Sequence, residues 1–286
     1  MTRIATIEDV RSFWEANPLF KGETQFTVGS ASYFEKHRSV VIQDCFAGRL
    51  DERVFSADRS SQVLDLGCGP GFWLPEFHAR GFENLHAADL TEAALCLAKQ
   101  RCDLYAINCS FSRQNAERLD FPDGSFDHVN CQGVIHHTPN TGACVREIAR
   151  VLRDGGTACV SVYYKNVILR NWRLLTYPAK LLAILGAKLR GRGREDIFKC
   201  ASENEIVRLY DGEQNPIGKA YSQSEFKALL APYFQIDATF LHFFPARSMP
   251  IPIPNRMHRL LDQRIGFMIY AQLRKKVSTP SNELAA

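Results

Sequence analysis

Between residues 61 and 163, short apolar runs alternate with amphipathic stretches of helical period, and this alternation limits the possible folds more than any other feature. It is typical of parallel strands joined by helices that cover both faces of one sheet. The predicted strands are 62–67, 84–89, 107–112, 126–131, 156–163, 235–244 and 265–273. We therefore expect an α/β fold with a doubly wound, mostly parallel, seven-stranded sheet.

The chain before this pattern is predicted to be helical. Within residues 1–58, apolar side chains such as Val10, Phe13 and Trp14 share one helical face. A polar stretch at 51–60 then leads into the sheet. We expect an N-terminal helical cap followed by one main domain.

The main domain, 59–286, carries a predicted helical insertion at 164–219, after the fifth strand. Residues 166–194 hold seven basic side chains and no acidic one, mixed with apolar residues at helical spacing. This insertion can be a lid over a bound molecule, a membrane-surface element or a solvated helical hairpin. The first interpretation predicts a hydrophobic or anionic bound molecule. The tail 278–286 is expected to fray.

Two helices of the main domain have clear end signals. Residues 139–153 place apolar side chains on one face, and "DGG" is expected to close that helix. Ser222 and Glu225 have the spacing of a capping box, so a later helix is predicted to begin there.

Charge and cysteine content restrict the function classes. A formal charge of +4 over 286 residues is too small to indicate nucleic-acid binding by itself. The nine cysteines form no CxxC pair, which favours reduced, buried thiols and a cytoplasmic protein. No apolar run resembles a signal peptide or a membrane span.

The stretch "VLDLGCGPGFW", residues 63–73, places a glycine turn between the first strand and a helix. Glycines at 67, 69 and 71 let the backbone turn tightly and approach a ligand closely. Asp89 ends the second strand, where a carboxylate can accept hydrogen bonds from both ribose hydroxyls. A dinucleotide site would have glycine at residue 72, which is phenylalanine. The glycine turn and Asp89 together therefore indicate a nucleoside ligand that is not a dinucleotide.

Four ordered motifs over residues 60–163 resemble the class I S-adenosylmethionine-dependent methyltransferases, in their small-molecule, type 11-like branch. The motifs are "VLDLGCGPG", Asp89, "NAERLDFPDGSFDHVNCQGVIHHTPN" and "RVLRDGG". The resemblance implies a Rossmann-like fold and an S-adenosylmethionine site. The implied site residues are Asp65, Gly67, Cys68, Gly69, Gly71, Asp89, Leu90, Asn115, Ala116 and Gln132.

Within that site the resemblance assigns Asp65 and the glycine turn to the methionine end, Asp89 to the ribose and Asn115 with Ala116 to the adenine. Gln132 would lie under the methionine. The family usually has aspartate where this chain has Asn115. Asparagine keeps a carbonyl acceptor, so we expect adenine binding to be weakened only modestly.

His136 and His137 follow the fourth strand beside the implied pocket. A histidine can remove a proton from an acceptor during methyl transfer, and the resemblance favours His136, with His137 second. Both can instead simply pack under the loop, and a carboxylate or thiolate acceptor would need no base. The predicted activity is methyl transfer to an oxygen, nitrogen or sulfur atom of a small molecule, without a metal ion.

Two other functions remain open. The basic insertion would suit an RNA-directed methyltransferase, although "NCQGVIHH" stands where a base-reaching motif would be expected. A non-catalytic S-adenosylmethionine-binding protein would keep the glycine turn without turnover. The sequence does not indicate the acceptor or the oligomeric state.

Overall fold

A computed structural model describes residues 5–175, 177, 202–246, 249 and 252–277. Residues 176 and 178–201 of the predicted insertion, which include Cys200, and the tail 278–286 lie outside these residues. The strands are β1 Val63–Leu66, β2 Leu85–Asp89, β3 Cys109–Arg113, β4 Phe126–Gln132, β5 Leu152–Tyr164, β6 Ala220–Tyr221, β7 Phe234–His242 and β8 Met268–Lys275. The helices are α1 Ile7–Ala16, α2 Ala31–Val40, α3 Trp73–His78, α4 Glu92–Leu104, α5 Thr141–Val151, α6 Val167–Arg170, α7 Glu203–Tyr210, α8 Gln223–Leu230 and α9 Asn255–Ile265.

All eight strands belong to one sheet, in the order β3-β2-β1-β4-β5-β8-β7, with the short β6 paired to β5. Strands β1 to β5 run parallel, whereas β8 is antiparallel to both β5 and β7. The predicted doubly wound, mostly parallel Rossmann-like architecture is confirmed, with β6 as an additional two-residue strand. The strand order reverses between β1 and β4, which is where open α/β sheets bind ligands.

Local sequence explains where several helices begin. Thr6 and Asp9 form a capping box at α1. The predicted capping box of Ser222 and Glu225 is confirmed at the start of α8. Helix α5 ends at Val151, earlier than predicted, because Leu152 already begins β5. The "DGG" stretch was therefore assigned wrongly to the helix end; it lies within β5 beside a register shift in the pairing with β4.

Apolar side chains cover both faces of the sheet in two large clusters. The segment 51–60 is more than the polar link expected from its sequence. It contains a 3-10 helix, Glu52–Phe55, whose Val54 and Phe55 are buried in the same cluster as Val63 of β1. Tyr33 and Phe34 of α2 are also fully buried, in a smaller cluster with Leu97 of α4.

Eight cysteines lie in the described ranges, and all eight are free thiols, five of them buried. Across these same residues, none of the helices combines the length and the apolar character needed to cross a membrane.

Candidate functional site

The glycine turn leaves the carboxyl end of β1 and leads directly into α3. Gly67, Gly69 and Gly71 all have positive φ, between +52° and +72°. A Cβ on Gly71 would lie 2.9 Å from the Ala98 Cα of α4, so the turn and α4 are too close for a side chain there. A Cβ on Gly69 would meet no atom within 4 Å. Open space therefore adjoins the backbone at the centre of the turn, where a ligand can approach it.

A chain of buried polar side chains crosses β1 and β4 beneath this turn. Asn130 Nδ2 donates to Asp65 Oδ1 at 2.8 Å, and Gln132 Nε2 donates to Asn130 Oδ1 at 2.9 Å. Asp65 Oδ2 and Gln132 Oε1 are buried and have no hydrogen-bond partner within the described chain. Both atoms are acceptors, and buried acceptors without a donor are costly. The site therefore suits a ligand that brings a donor, such as an ammonium group.

Asp89 is fixed at the end of β2 by contacts from two loops. Its Oδ2 accepts the Gly69 N–H at 3.0 Å, and its Oδ1 accepts the N–H and hydroxyl of Thr91 at 3.0 and 2.8 Å. The surrounding low-dielectric environment raises the pKa of Asp89, and these bonds oppose that rise. The carboxylate is half-buried, so its remaining lone pairs can reach a ligand hydroxyl.

The other residues of the implied cofactor site line the same sheet edge. Leu90 follows Asp89 and is half-buried. Asn115, beyond β3, is also half-buried and accepts the Glu117 N–H at 3.0 Å through its Oδ1, while Ala116 beside it is buried. The Cys68 side chain is buried under the turn. All ten residues thus gather around the carboxyl ends of β1, β2, β3 and β4.

The two histidines occupy a 3-10 turn, Ile135–His137, directly after β4 and differ sharply in their contacts. His137 donates from Nδ1 to the Ile217 carbonyl at 2.7 Å, and its Nε2 lies 3.5 Å from Asp211 Oδ2. His136 is only 1% exposed, and neither of its ring nitrogens makes a hydrogen bond of normal geometry to a described residue. Burial, together with His137 and Lys219, lowers the pKa of His136 well below its usual value, while the Ser161 backbone opposes this. His136 is therefore a neutral imidazole at pH 7.

Aromatic side chains contact the two histidines on both sides. The Trp14 and His137 ring centroids are 5.3 Å apart, and the His136 ring lies 4.4 Å from that of Tyr163. Tyr163 in turn contacts Tyr210 at 6.4 Å and donates its hydroxyl to both Asp211 oxygens at 2.9 and 3.0 Å. These rings form an aromatic row that includes both histidines, beside the glycine turn.

Solved structures with the same fold include two S-adenosylmethionine-dependent methyltransferases. The protein from Methanosarcina mazei gives a TM-score of 0.53 at 21% identity, covering 77% of this chain and 94% of that chain. The protein from Aquifex aeolicus gives 0.51 at 14% identity, covering 86% and 98%. At these identities the likeness establishes the fold alone.

Sequence similarity narrows the family further. Two ubiquinone biosynthesis O-methyltransferases are similar to this chain. That of Aromatoleum aromaticum is 29% identical over 184 residues, covering 56% of this chain and 71% of that protein. That of Erwinia tasmaniensis is 28% identical over 185 residues, covering 62% and 72%. Residues 63–156 match the family model described as a methyltransferase domain, and this range contains the glycine turn, Asp89 and both histidines. The chain is a class I S-adenosylmethionine-dependent methyltransferase.

The residues of this methyltransferase fit its methyl donor. S-Adenosylmethionine carries an ammonium group that can satisfy the unpaired acceptors Asp65 Oδ2 and Gln132 Oε1, and ribose hydroxyls that suit Asp89. The open backbone at Gly69 leaves room between them. The resemblance had assigned Asp65 and Gln132 to the methionine end, and the structure adds Asn130, which joins them by hydrogen bonds.

Sequence reasoning missed four residues that make polar contacts in the methyltransferase site. Asn130 lies within the fourth strand, where a polar residue gives no functional signal. Asp211, Ile217 and Lys219 come from the last residues of the predicted insertion, which have no periodic pattern, and they hold the histidine turn from outside the motif region. Tyr221 of β6 donates its hydroxyl to Thr141 Oγ1 at 3.0 Å.

The affinity of the methyltransferase for S-adenosylhomocysteine is expected to fall about tenfold from pH 8 to pH 6. Burial and the Asp89 charge raise the pKa of Asp65 to about 7, against the Asn130 hydrogen bond. The ligand's ammonium favours the carboxylate form, so binding below pH 7 must release a proton. Calorimetry in buffers of different ionisation enthalpy would detect that proton. Asp65→Asn should bind weakly with no such pH dependence; a flat wild-type profile would contradict the assignment.

Proposed function

We propose that this enzyme methylates a phenolic oxygen of a planar, aromatic small molecule. The observation that carries the proposal is the buried, neutral His136 set within an aromatic row, its ring nitrogens without a hydrogen bond of normal geometry to a described residue. A planar acceptor can pack on that row and donate its hydroxyl to His136. Similarity to enzymes named ubiquinone biosynthesis O-methyltransferase supports the same chemistry.

The residues would divide the work as follows. Asp65 and Gln132 would bind the ammonium end of the methyl donor, Asp89 the ribose, and Asn115 with Ala116 the adenine. S-Adenosylmethionine supplies an electrophilic methyl group on a positively charged sulfur. The phenolic oxygen would bond to the methyl carbon while the carbon–sulfur bond breaks, its electron pair staying on sulfur. The phenol proton would pass to His136.

His137 would serve as a positioning residue. Its Nδ1 must carry a hydrogen, because the Ile217 carbonyl can only accept, and its Nε2 faces Asp211. Both nitrogens are therefore engaged by the protein, and neither is placed to take a proton from an acceptor. Most of the rate would come from holding the two reactants in line, with His136 adding proton removal.

The test is transfer of labelled methyl groups to a matched set of acceptors. A catechol, the corresponding aromatic amine and the corresponding thiol present the same ring with different nucleophiles. We expect the catechol to be methylated at least about 100-fold faster than the amine, because His136 would assist oxygen specifically. Preferred methylation of the amine, or of an aliphatic acid over all three, would contradict the proposal.

A further inference from the structure

Helix α9 buries two polar side chains against the protein and leaves two large apolar side chains exposed. Only His258 and Asp262 of this helix are buried, whereas Met257 and Leu260 are 45% and 54% exposed. His258 Nε2 donates to the Phe244 carbonyl at 2.9 Å, and Asp262 Oδ1 accepts the Phe244 N–H at 3.1 Å. These hydrogen bonds hold the inner side of the helix against the protein, so Met257 and Leu260 face outward.

The outward side of α9 is also strongly basic. On a helical projection, Leu260 lies between Arg256 and Arg264, Met257 lies beyond Arg264, and Arg259 lies on the other side of Arg256; all three arginines are exposed. We call the face formed by these five residues the α9 outer face. Helix α9 carries no acidic side chain on that face, because its one carboxylate, Asp262, is buried.

A histidine that lies between two carboxylates also holds this helix. Asp262 Oδ2 lies 2.6 Å from His242 Nδ1, and His242 Nε2 lies 3.1 Å from Asp51 Oδ2. Burial lowers the pKa of His242, but the carboxylates of Asp262 and Asp51 outweigh that effect and raise it. The buried carboxylate of Asp262 is thus committed to the inner side of α9.

The α9 outer face lies at the edge of the sheet that carries the active site. In the sheet register, Met268 of β8 pairs with Tyr163 of β5 and with His242 of β7. The carboxyl ends of β5 and β7 therefore lie together, and α9 connects β7 to β8 at that edge. Asn166, at the start of α6, donates to the Ile265 carbonyl at 2.9 Å, so α6 adjoins the end of α9.

Helix α6 and the residues after it repeat the composition of the α9 outer face. Val167 and Leu174 are 55% and 71% exposed, and Arg170 is exposed between them. Segments 166–194 and 243–264 together carry a formal charge of +10, against +4 for the whole chain, so all other residues total −6. The basic charge of the protein is thus concentrated in these two stretches of its sequence.

We propose that the α9 outer face, with the adjoining exposed residues of α6, docks onto an anionic phospholipid bilayer. Arginine interspersed with aliphatic residues matches an interface in which apolar side chains enter the lipid and cations meet the headgroups. Single-stranded RNA would instead require aromatic side chains for base stacking, and the α9 outer face has none. The docking would turn the acceptor side of the enzyme toward the lipid. It does not depend on which atom the enzyme methylates.

The experiment is flotation of the full-length protein with vesicles. With phosphatidylcholine vesicles containing about 30% phosphatidylglycerol, we expect the wild type to float, and with phosphatidylcholine alone to stay below. Arg256→Glu/Arg259→Glu should lower the partition coefficient at least about 30-fold. This change corresponds to about 2 kcal/mol of binding free energy, at 1.4 kcal/mol for each tenfold step. Leu260→Ser should lower the partition coefficient about tenfold, because it removes an aliphatic group that would enter the lipid.

Matched controls separate the α9 outer face from general charge and apolarity. Arg49→Glu/Arg146→Glu changes the same charge at exposed positions elsewhere, and Leu104→Ser removes a leucine that is 48% exposed, close to Leu260. Both controls should float like the wild type. All variants should bind S-adenosylhomocysteine normally, which verifies folding independently of vesicles and acceptor.

Three outcomes would overturn the proposal. In the first, the wild type fails to float even at low salt. In the second, the control variants lose flotation as much as the α9 variants do, which would indicate non-specific attraction. In the third, the protein ignores vesicles but binds single-stranded RNA through Arg256 and Arg259, which would make this face a nucleic-acid surface.

Discussion

His136→Phe is expected to lower the turnover number with a catechol by about 100- to 10,000-fold and to leave S-adenosylhomocysteine affinity unchanged. Phenylalanine fills the space of the buried imidazole and keeps the ring contacts to Tyr163 and His137, but it removes the proton acceptor. Steady-state kinetics with saturating methyl donor, together with calorimetry, would measure both quantities.

A second acceptor distinguishes proton removal from a packing role. A nitro-substituted catechol is already ionised near neutral pH, so its methylation should depend much less on His136. We expect the deficit of His136→Phe to shrink at least about tenfold with this acceptor. An equal deficit with both acceptors would mean that His136 only shapes the pocket.

Asp89→Ala is expected to weaken S-adenosylmethionine binding by about 100-fold or more, because two hydrogen bonds to a charged group are lost at about 1.5 to 3 kcal/mol each. The variant also frees the N–H groups of Gly69 and Thr91, which the carboxylate now holds. Asp89→Asn retains one acceptor oxygen and should cost about tenfold.

Calorimetric titration would rank these Asp89 variants. Asp103→Ala, an exposed acid on α4, is the control for the change in net charge and should bind like the wild type. Wild-type affinity in Asp89→Ala would remove this residue from the ribose site. Because His136 is proposed to act on the acceptor alone, failure of either prediction leaves the other intact.

The strands of the first half could be predicted from sequence because each is a short apolar run bounded by a turn. The order of the last two strands could not be predicted in this way. Periodicity shows that 235–244 and 265–273 are strand-like, but it does not show that β8 inserts between β5 and β7. That order depends on how the connection through α9 packs, and the two buried side chains of α9, His258 and Asp262, are both polar.

The same limit applies to the site. The glycine turn and Asp89 have a fixed spacing that a single strand–turn–helix unit imposes, so local sequence is enough to find them. The contacts of His137 with Ile217 and Asp211 join residues 80 and 74 positions apart. No local pattern encodes such a pairing, because it depends on where the chain returns to the sheet after a long excursion.

The contact between Lys219 and the histidine turn affects the order in which the parts of the site form during synthesis. The Lys219 ammonium donates to the carbonyls of Thr138 and Pro139 and to the Thr141 hydroxyl, at 2.7 to 3.1 Å, and its backbone N–H donates to the His136 carbonyl. A nascent chain that has emerged only as far as β5 already contains the glycine turn and Asp89. The turn that carries His136 gains its anchor 55 residues after the end of β5, when Lys219 leaves the ribosome. Donor binding can therefore precede competence for transfer while the protein is still being made.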